Sequence, residues 1–76
     1  MSIVSARQSF SNALDGKATC TGARMNYDNA TKQQVFEFDV VADGAVTTVT
    51  VAVPHTGNID ALVAAGGRDF AATLEA

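Results

Sequence analysis

The sequence has 76 residues, 47% of them hydrophobic, and a formal net charge of −3, which predicts a single folded domain rather than a disordered chain. Its five basic residues are scattered and it has one tyrosine and no tryptophan, so the clustered basic and aromatic surface of a nucleic-acid-binding protein is not expected. A single cysteine excludes an intramolecular disulfide and a zinc site built from paired cysteines.

The first predicted element is a helix over residues 2–15. Its apolar residues recur at spacings of three, four and seven, which is typical of one buried helix face. These residues are Ile3, Ala6, Phe10, Ala13 and Leu14. Ser2 is the predicted N-cap, because its hydroxyl can accept a hydrogen bond from a backbone N–H of the first turn. Gly16 follows where helices often end in a left-handed residue.

A less regular strand is predicted over residues 18–27, with Gly22 as a candidate β-bulge. Simple alternation would place five of its side chains on one face. They are Thr19, Thr21, Ala23, Met25 and Tyr27. Cys20 is interpreted as a half-buried structural cysteine, because no helix N-terminus or basic side chain is expected beside its thiol. Residues 28–31 have the composition of a turn.

The clearest pattern is a β-hairpin with strands at residues 33–42 and 45–53. Asp43 and Gly44 form its predicted turn, because both tolerate the positive φ angles of a two-residue type I′ turn. This turn sets the register, and the register directs five apolar side chains to one face of the sheet. They are Phe36, Phe38, Val49, Val51 and Val53.

Residues after the hairpin predict a second helix. Pro54 ends the last strand because it cannot donate to the ladder, and Asn58 is the predicted N-cap of the helix. The apolar stripe consists of Ile59, Leu62, Val63, Gly66, Phe70 and Leu74. It keeps its phase across Gly66 and Gly67, so one continuous or slightly kinked helix is favoured over a helix that stops there and a second short helix that begins at Arg68. A glycine on the stripe would allow close approach to the sheet, and a hinge is the alternative role of the pair.

Together these elements predict an α+β fold with a three-stranded antiparallel meander sheet and an N-terminal and a C-terminal helix packed on one face (αβββα). The N-terminal residues lack the basic and long apolar regions of a signal peptide. No stretch approaches the ~20 apolar residues of a membrane span. We therefore expect a cytoplasmic protein that has no membrane segment.

No catalytic, cofactor-binding or metal-binding constellation is predicted. Glu37 and Asp39 share the outer face of a strand, but acid–base chemistry or metal binding needs a cleft and further ligands, so a solvated sheet face is favoured. His55 is the only histidine and lies in a strand-to-helix connection, where functional residues often occur. Thr56 and Asp60 are candidate partners for it, but an exposed loop histidine or a cap is favoured.

The most informative segment runs from Gly44 to Val53, ten residues without a charge, and lies at the edge of a meander. Bare edges pair with other chains and are usually blunted by lysine, proline or a cover, whereas only Pro54 protects this one. Three interpretations remain open. The edge is covered within the monomer, pairs with a second copy as a homodimer through residues 45–53, or accepts a partner's strand.

The leading hypothesis is a non-enzymatic protein-interaction module. A small inhibitor carried by a phage or mobile element, of the anti-CRISPR type, is one form that fits the size, mild acidity and lack of motifs. The alternatives are a structural protein that assembles through sheet edges and, less favoured, a small ligand-binding or enzymatic domain. The predicted contact residues are Glu37, Asp39, Val46, Thr48 and Thr50. Val41 and Val46 are expected to form a small apolar spot near the hairpin tip.

Overall fold

The structure, a computed structural model, describes residues 3–55 and 57–75. The elements in chain order are helix α1 (Ile3–Leu14), strands β1 (Thr19–Asp28), β2 (Gln33–Ala42) and β3 (Ala45–Pro54), and helix α2 (Ile59–Thr73). The strands form one antiparallel sheet in the order β1-β2-β3. The predicted αβββα fold is therefore confirmed. Ser2, the predicted N-cap, and Thr56, a candidate partner of His55, lie outside the described residues.

The β2–β3 hairpin has the predicted turn and register. Asp43 and Gly44 have φ angles of 50° and 77°, as a type I′ turn requires. Ala42 pairs with Ala45, and the pairing continues without a shift to the far end of both strands. Because side chains alternate, the β2 residues that enter the core are Phe36, Phe38 and Val40.

Strand β1 departs from simple alternation at a β-bulge. Cys20 pairs with Val40 while Gly22 pairs with the preceding β2 residue, Asp39, so Thr21 is the extra residue. The prediction that Thr19 and Thr21 share a face with Ala23 is wrong, because one extra residue inverts the alternation. Cys20 is consequently buried, with 9% of its surface exposed, and lies deeper than predicted.

Stacked aromatic rings join α1 to the sheet. Phe10 of α1 lies on Phe38 with a centroid distance of 4.1 Å and an interplanar angle of 7°. Phe36 continues the stack at 6.1 Å from Phe38. The other buried residues of this cluster are Ala6, Leu14, Cys20, Val40, Val53 and Val63. The core therefore lies between the two helices and one face of the sheet, which leaves the opposite face to solvent.

Helix α2 runs without interruption through Gly66 and Gly67, as predicted. The two glycines permit different contacts. A Cβ atom on Gly66 would lie 2.7 Å from Cγ2 of Val51 in the sheet. One on Gly67 would lie 2.9 Å from the carbonyl oxygen of Phe10 in α1. The close approach to the sheet was predicted, but the close approach to α1 was not.

The buried face of α2 is rotated relative to the predicted stripe. Gly67 and Ala71 are buried, whereas Leu62 and Leu74 expose 41% and 38% of their surfaces. The cause is that α2 packs on α1 as well as on the sheet, so its inner face turns toward α1. Within the described ranges, neither helix is long and apolar enough to cross a membrane.

Polar contacts hold the start of α2 in place. The Asn58 side chain accepts a hydrogen bond from the backbone N–H of Ala61 at 3.2 Å, which confirms the predicted N-cap. Asp60 in the first turn accepts hydrogen bonds from the hydroxyls of Ser5 and Ser9 at 3.2 and 3.4 Å. These contacts connect the first turn of α2 to α1.

Candidate interaction site

The outer face of the sheet carries a polar network that spans all three strands. Arg24 of β1 donates from Nη1 to Oδ2 of Asp39 at 2.9 Å and from Nη2 to Oδ1 at 3.0 Å. Thr48 of β3 donates from Oγ1 to Oδ1 of Asp39 at 3.0 Å. The bonds from Arg24, and secondarily the bond from Thr48, hold the pKa of Asp39 below its usual value. Asp39 is thus a structural acceptor at the centre of this face.

Gly22 makes room for this network. A Cβ atom at Gly22 would lie 3.0 Å from Oδ2 of Asp39, so a side chain there would press on the carboxylate. Thr21, the extra residue of the bulge in β1, also contacts Asp39 of β2. Its hydroxyl donates to the backbone oxygen of Asp39 at 3.4 Å. The bulge at Gly22 was predicted from the sequence, but the contacts of Arg24 were not, because its strand partners depend on the shifted register.

Glu37 is held more weakly than Asp39. Its Oε1 lies 3.7 Å from Nε of Arg24, and 41% of its side chain is exposed. Arg24 directs both terminal nitrogens to Asp39, so Glu37 receives the longer contact. The two carboxylates therefore share one cation. In the part of the chain that the structure describes, no group of three or more His, Cys, Asp and Glu residues is arranged to hold a metal ion.

Strand β3 presents a free edge beside this face. Among the described residues it pairs with β2 alone. A two-residue turn closes on a hydrogen-bonded pair, here Ala42 and Ala45, and hydrogen-bonded and non-hydrogen-bonded pairs alternate along an antiparallel ladder. The residues whose N–H and C=O groups point away from β2 are therefore Val46, Thr48, Thr50 and Ala52. Their side chains lie on the outer face of the sheet.

The other edge of the sheet is protected and β3 is not. Strand β1 has a bulge between Cys20 and Gly22 and carries the charges of Arg24 and Asp28. Bulges and charges discourage pairing with another strand. All ten residues of β3 are uncharged, with Pro54 at the end. The predicted unprotected edge is therefore present, and the residues described do not cover it with another strand.

Apolar side chains flank this edge on both sides of the sheet. On the outer side, Val46 is 69% exposed and faces Val41 across the hairpin, which gives the predicted apolar spot at the tip. On the helix side, Val49 and Val51 are half-buried, and Leu62 of α2 is 41% exposed. Leu62 was predicted to lie on the buried stripe of the helix, and its exposure was therefore missed.

His55 and its predicted partner lie in separate environments. The imidazole of His55 is exposed and packs edge-on to Tyr27, with 5.6 Å between the ring centroids. Asp60 accepts its hydrogen bonds from Ser5 and Ser9 of α1. This arrangement favours the interpretation of His55 as an exposed loop residue.

A groove of about 670 Å³ lies between the two helices, on the side away from the sheet. Alanine methyl groups line much of it, and Lys17 and Glu75 form an ion pair of 2.8 Å beside it. The hydrogen bond to Glu75 raises the pKa of Lys17. A ligand site needs a few polar groups that converge on one point, whereas Lys17 and Glu75 pair with each other and the other charged lining residues, Asp15 and Arg68, are of opposite sign. The β3 edge is the stronger candidate.

Comparison of the chain with protein-family models, with curated proteins and with solved structures found no match in any of the three.

Proposed function

We propose that this protein is a protein-interaction module that binds its target through the free edge of β3 and the adjoining outer face of the sheet. The observation that carries the proposal is an uncharged strand of ten residues whose outward backbone groups have no partner strand among the described residues. The β1 edge differs, because its bulge and its charged side chains discourage pairing with another strand.

Binding at such an edge has a simple physical basis. An added strand gains main-chain hydrogen bonds from the outward groups of β3, and its alternate side chains supply specificity. Because the Thr48 and Thr50 side chains are small, the outer face of β3 stays accessible to the side chains of an added strand. The modest size and mild acidity of the chain favour an inhibitor or adaptor, of the kind that phages and mobile elements carry, over an enzyme.

The proposal is tested by capturing partners from a lysate of the source cell or its host. Three tagged proteins are compared: the wild type, a Thr48→Lys/Thr50→Lys variant, and a Gln8→Lys/Ala61→Lys control. The control adds the same two charges at exposed positions on the helices. We expect a stoichiometric partner with the wild type and the control, and its loss with the edge variant, because lysine is a common guard of sheet edges.

Circular dichroism shows whether the three proteins are folded, so that loss of a partner can be attributed to the β3 edge. All three should have the same spectrum, since the substituted side chains are exposed. Equal partner recovery by a folded edge variant would refute binding through β3. A structural protein that assembles through this same edge is the second candidate, and a native mass that rises with protein concentration would favour it.

A further inference from the structure

We propose that the β3 edge accepts an extended segment of another protein, apolar on one side and basic on the other, rather than a second copy of this chain. The inference rests on the proposed interaction function and specifies its partner. Three features carry it: the position of α2 over β3, the apolar residues on the helix side of the edge, and the excess of carboxylates on the outer side.

The position of α2 disfavours a second copy. Helix α2 contacts β3, whereas α1 contacts β1, and Gly66 approaches Val51 so closely that a Cβ atom would lie 2.7 Å from its side chain. Neighbouring strands are about 4.8 Å apart, but packed helices need about 8–10 Å. Antiparallel pairing of β3 with the β3 of a second copy would put both α2 helices on the same face, above adjacent strands. A lone extended segment has no such helix.

On the helix side of the edge, we expect the bound segment to have apolar residues. Asp60 and Leu62 are two residues apart, which is about 200° around a helix. Because Asp60 bonds to α1, Leu62 lies on the opposite flank of α2, where its Cδ1 would be 3.3 Å from a Cβ atom on Gly57, just after the end of β3. Its exposed side chain and the half-buried Val49 and Val51 therefore form an apolar strip. A bound segment with apolar residues at alternate positions would cover that strip.

On the outer side of the edge, we expect the bound segment to have a basic residue. Glu37 pairs with Thr50, and among residues 3–55 and 57–75 the one ion pair of its carboxylate is the 3.7 Å contact with the Nε of Arg24. Asp39 accepts hydrogen bonds from both terminal nitrogens of that guanidinium. A strand added beside β3 lies two strand spacings, about 10 Å, from β2. A lysine or arginine on its outer side, opposite Thr50, can reach Glu37 over that short side chain.

Two synthetic peptides test the inference on the full chain labelled with ¹⁵N. Both have blocked ends, about seven residues as in an ordinary strand, and valine at alternate positions. The remaining positions are lysine in one peptide and glutamate in the other. We expect the lysine peptide to shift the amide signals of Val46, Thr48, Thr50 and Ala52. It should bind about tenfold more tightly than the glutamate peptide.

Variants separate the contributions. Glu37→Gln should reduce the preference for lysine while leaving the edge signals responsive, and Thr48→Lys/Thr50→Lys should abolish binding of the lysine peptide, because like charges would then face each other across the edge. Equal affinities for the two peptides, or shifts confined to the helices, would overturn the inference. So would a wild-type mass of two chains that returns to one chain in the edge variant.

The lysate experiment distinguishes failure of this inference from failure of the proposed function. A partner that depends on Thr48 and Thr50, together with no response to either peptide, would refute the inferred segment chemistry and leave the interaction module standing. A partner retained equally by the edge variant would refute the interaction module itself.

Discussion

The guanidinium of Arg24 and the carboxylate of Asp39 form a two-point pair between β1 and β2, with nitrogen–oxygen distances of 2.9 and 3.0 Å. The pair lies beside the bulge, where Gly22 leaves space for the carboxylate. Thr48 extends it to β3. All three strands are therefore connected on the face opposite the core. Because Arg24 directs both terminal nitrogens to Asp39, Glu37 has the longer, 3.7 Å contact with the Nε of Arg24.

The Asp39 carboxyl should titrate below the usual range of aspartate, and Arg24→Gln should move its pKa up toward the ordinary value of about 3.9. Arg24 supplies the largest cause of the lowered pKa. Carbon-detected NMR titration of the carboxyl group measures both. Arg68→Gln removes the same charge from α2 and should leave the Asp39 pKa unchanged. An equal rise in both variants would mean that net charge, rather than the pair, sets the pKa.

The pH dependence of stability follows from the same shift. Because the pKa of Asp39 is lower in the folded protein, folding favours the carboxylate over the acid. The resulting stabilisation is present above about pH 4 and is lost as the pH falls through the folded-state pKa. Urea unfolding of the wild type and Asp39→Asn, followed between neutral and acidic pH, should show the stability difference narrowing as the pH falls. A difference that stays constant would contradict this assignment.

Gly67→Ala should destabilise the protein by about 1–3 kcal/mol through overpacking. The added methyl group would meet the backbone oxygen of Phe10 and the Cβ of Ala13, both at 2.9 Å. Neither atom can rotate away. The gain of about 1 kcal/mol in helix propensity opposes this cost only in part.

Gly66→Ala is the matched control, because its methyl group meets only the Val51 side chain, at 2.7 Å. That side chain is half-buried at the sheet edge and can adjust. We therefore expect a smaller loss than for Gly67→Ala when both are measured by urea unfolding. The reverse order would mean that α2 is constrained by the sheet more than by α1.

Gly44→Ala should cost about 1 kcal/mol, because its φ angle of 77° disfavours a residue with a Cβ atom. No heavy atom beyond its chain neighbours lies within 4 Å of the added Cβ, so conformational strain alone sets the loss. Asp43→Asn is the control, since asparagine suits this turn position equally well. Thermal unfolding checks both variants, and an unchanged midpoint for Gly44→Ala would contradict the type I′ turn.

The hairpin could be predicted in full because two independent signals agreed. The Asp43-Gly44 turn set the register, and the alternation from Phe36 to Val51 matched it. The exposed positions of Val46, Thr48 and Thr50 followed directly. Arg24 could not be placed, because one extra residue at the bulge changes every later partner on β1. The inner face of α2 was misjudged at Gly67 and Leu62 since sequence periodicity does not reveal how far a helix turns toward a neighbouring helix.

Cys20 offers a reporter of how firmly β1 is held. Its thiol lies in the core with 9% exposure, 3.4 Å from the carbonyl oxygen of Gly22. Arg7 of α1 donates to the Cys20 backbone oxygen at 3.2 Å. A thiol reagent should therefore modify the native protein slowly, because β1 must first open locally. The reaction rate then measures how often this edge separates from β2.

Arg24→Gln should accelerate this modification several-fold, because it removes the main polar link between β1 and β2 on the outer face. Arg68→Gln, with the same loss of charge on α2, should react at the wild-type rate. Absorbance of the released thiolate follows the reaction, in buffer without denaturant. Equal rates in all three proteins would mean that core packing around Cys20 holds β1 in place and that the Arg24–Asp39 pair adds nothing to it. Faster reaction in the Arg24 variant alone would identify this pair as the contact that secures the bulged edge.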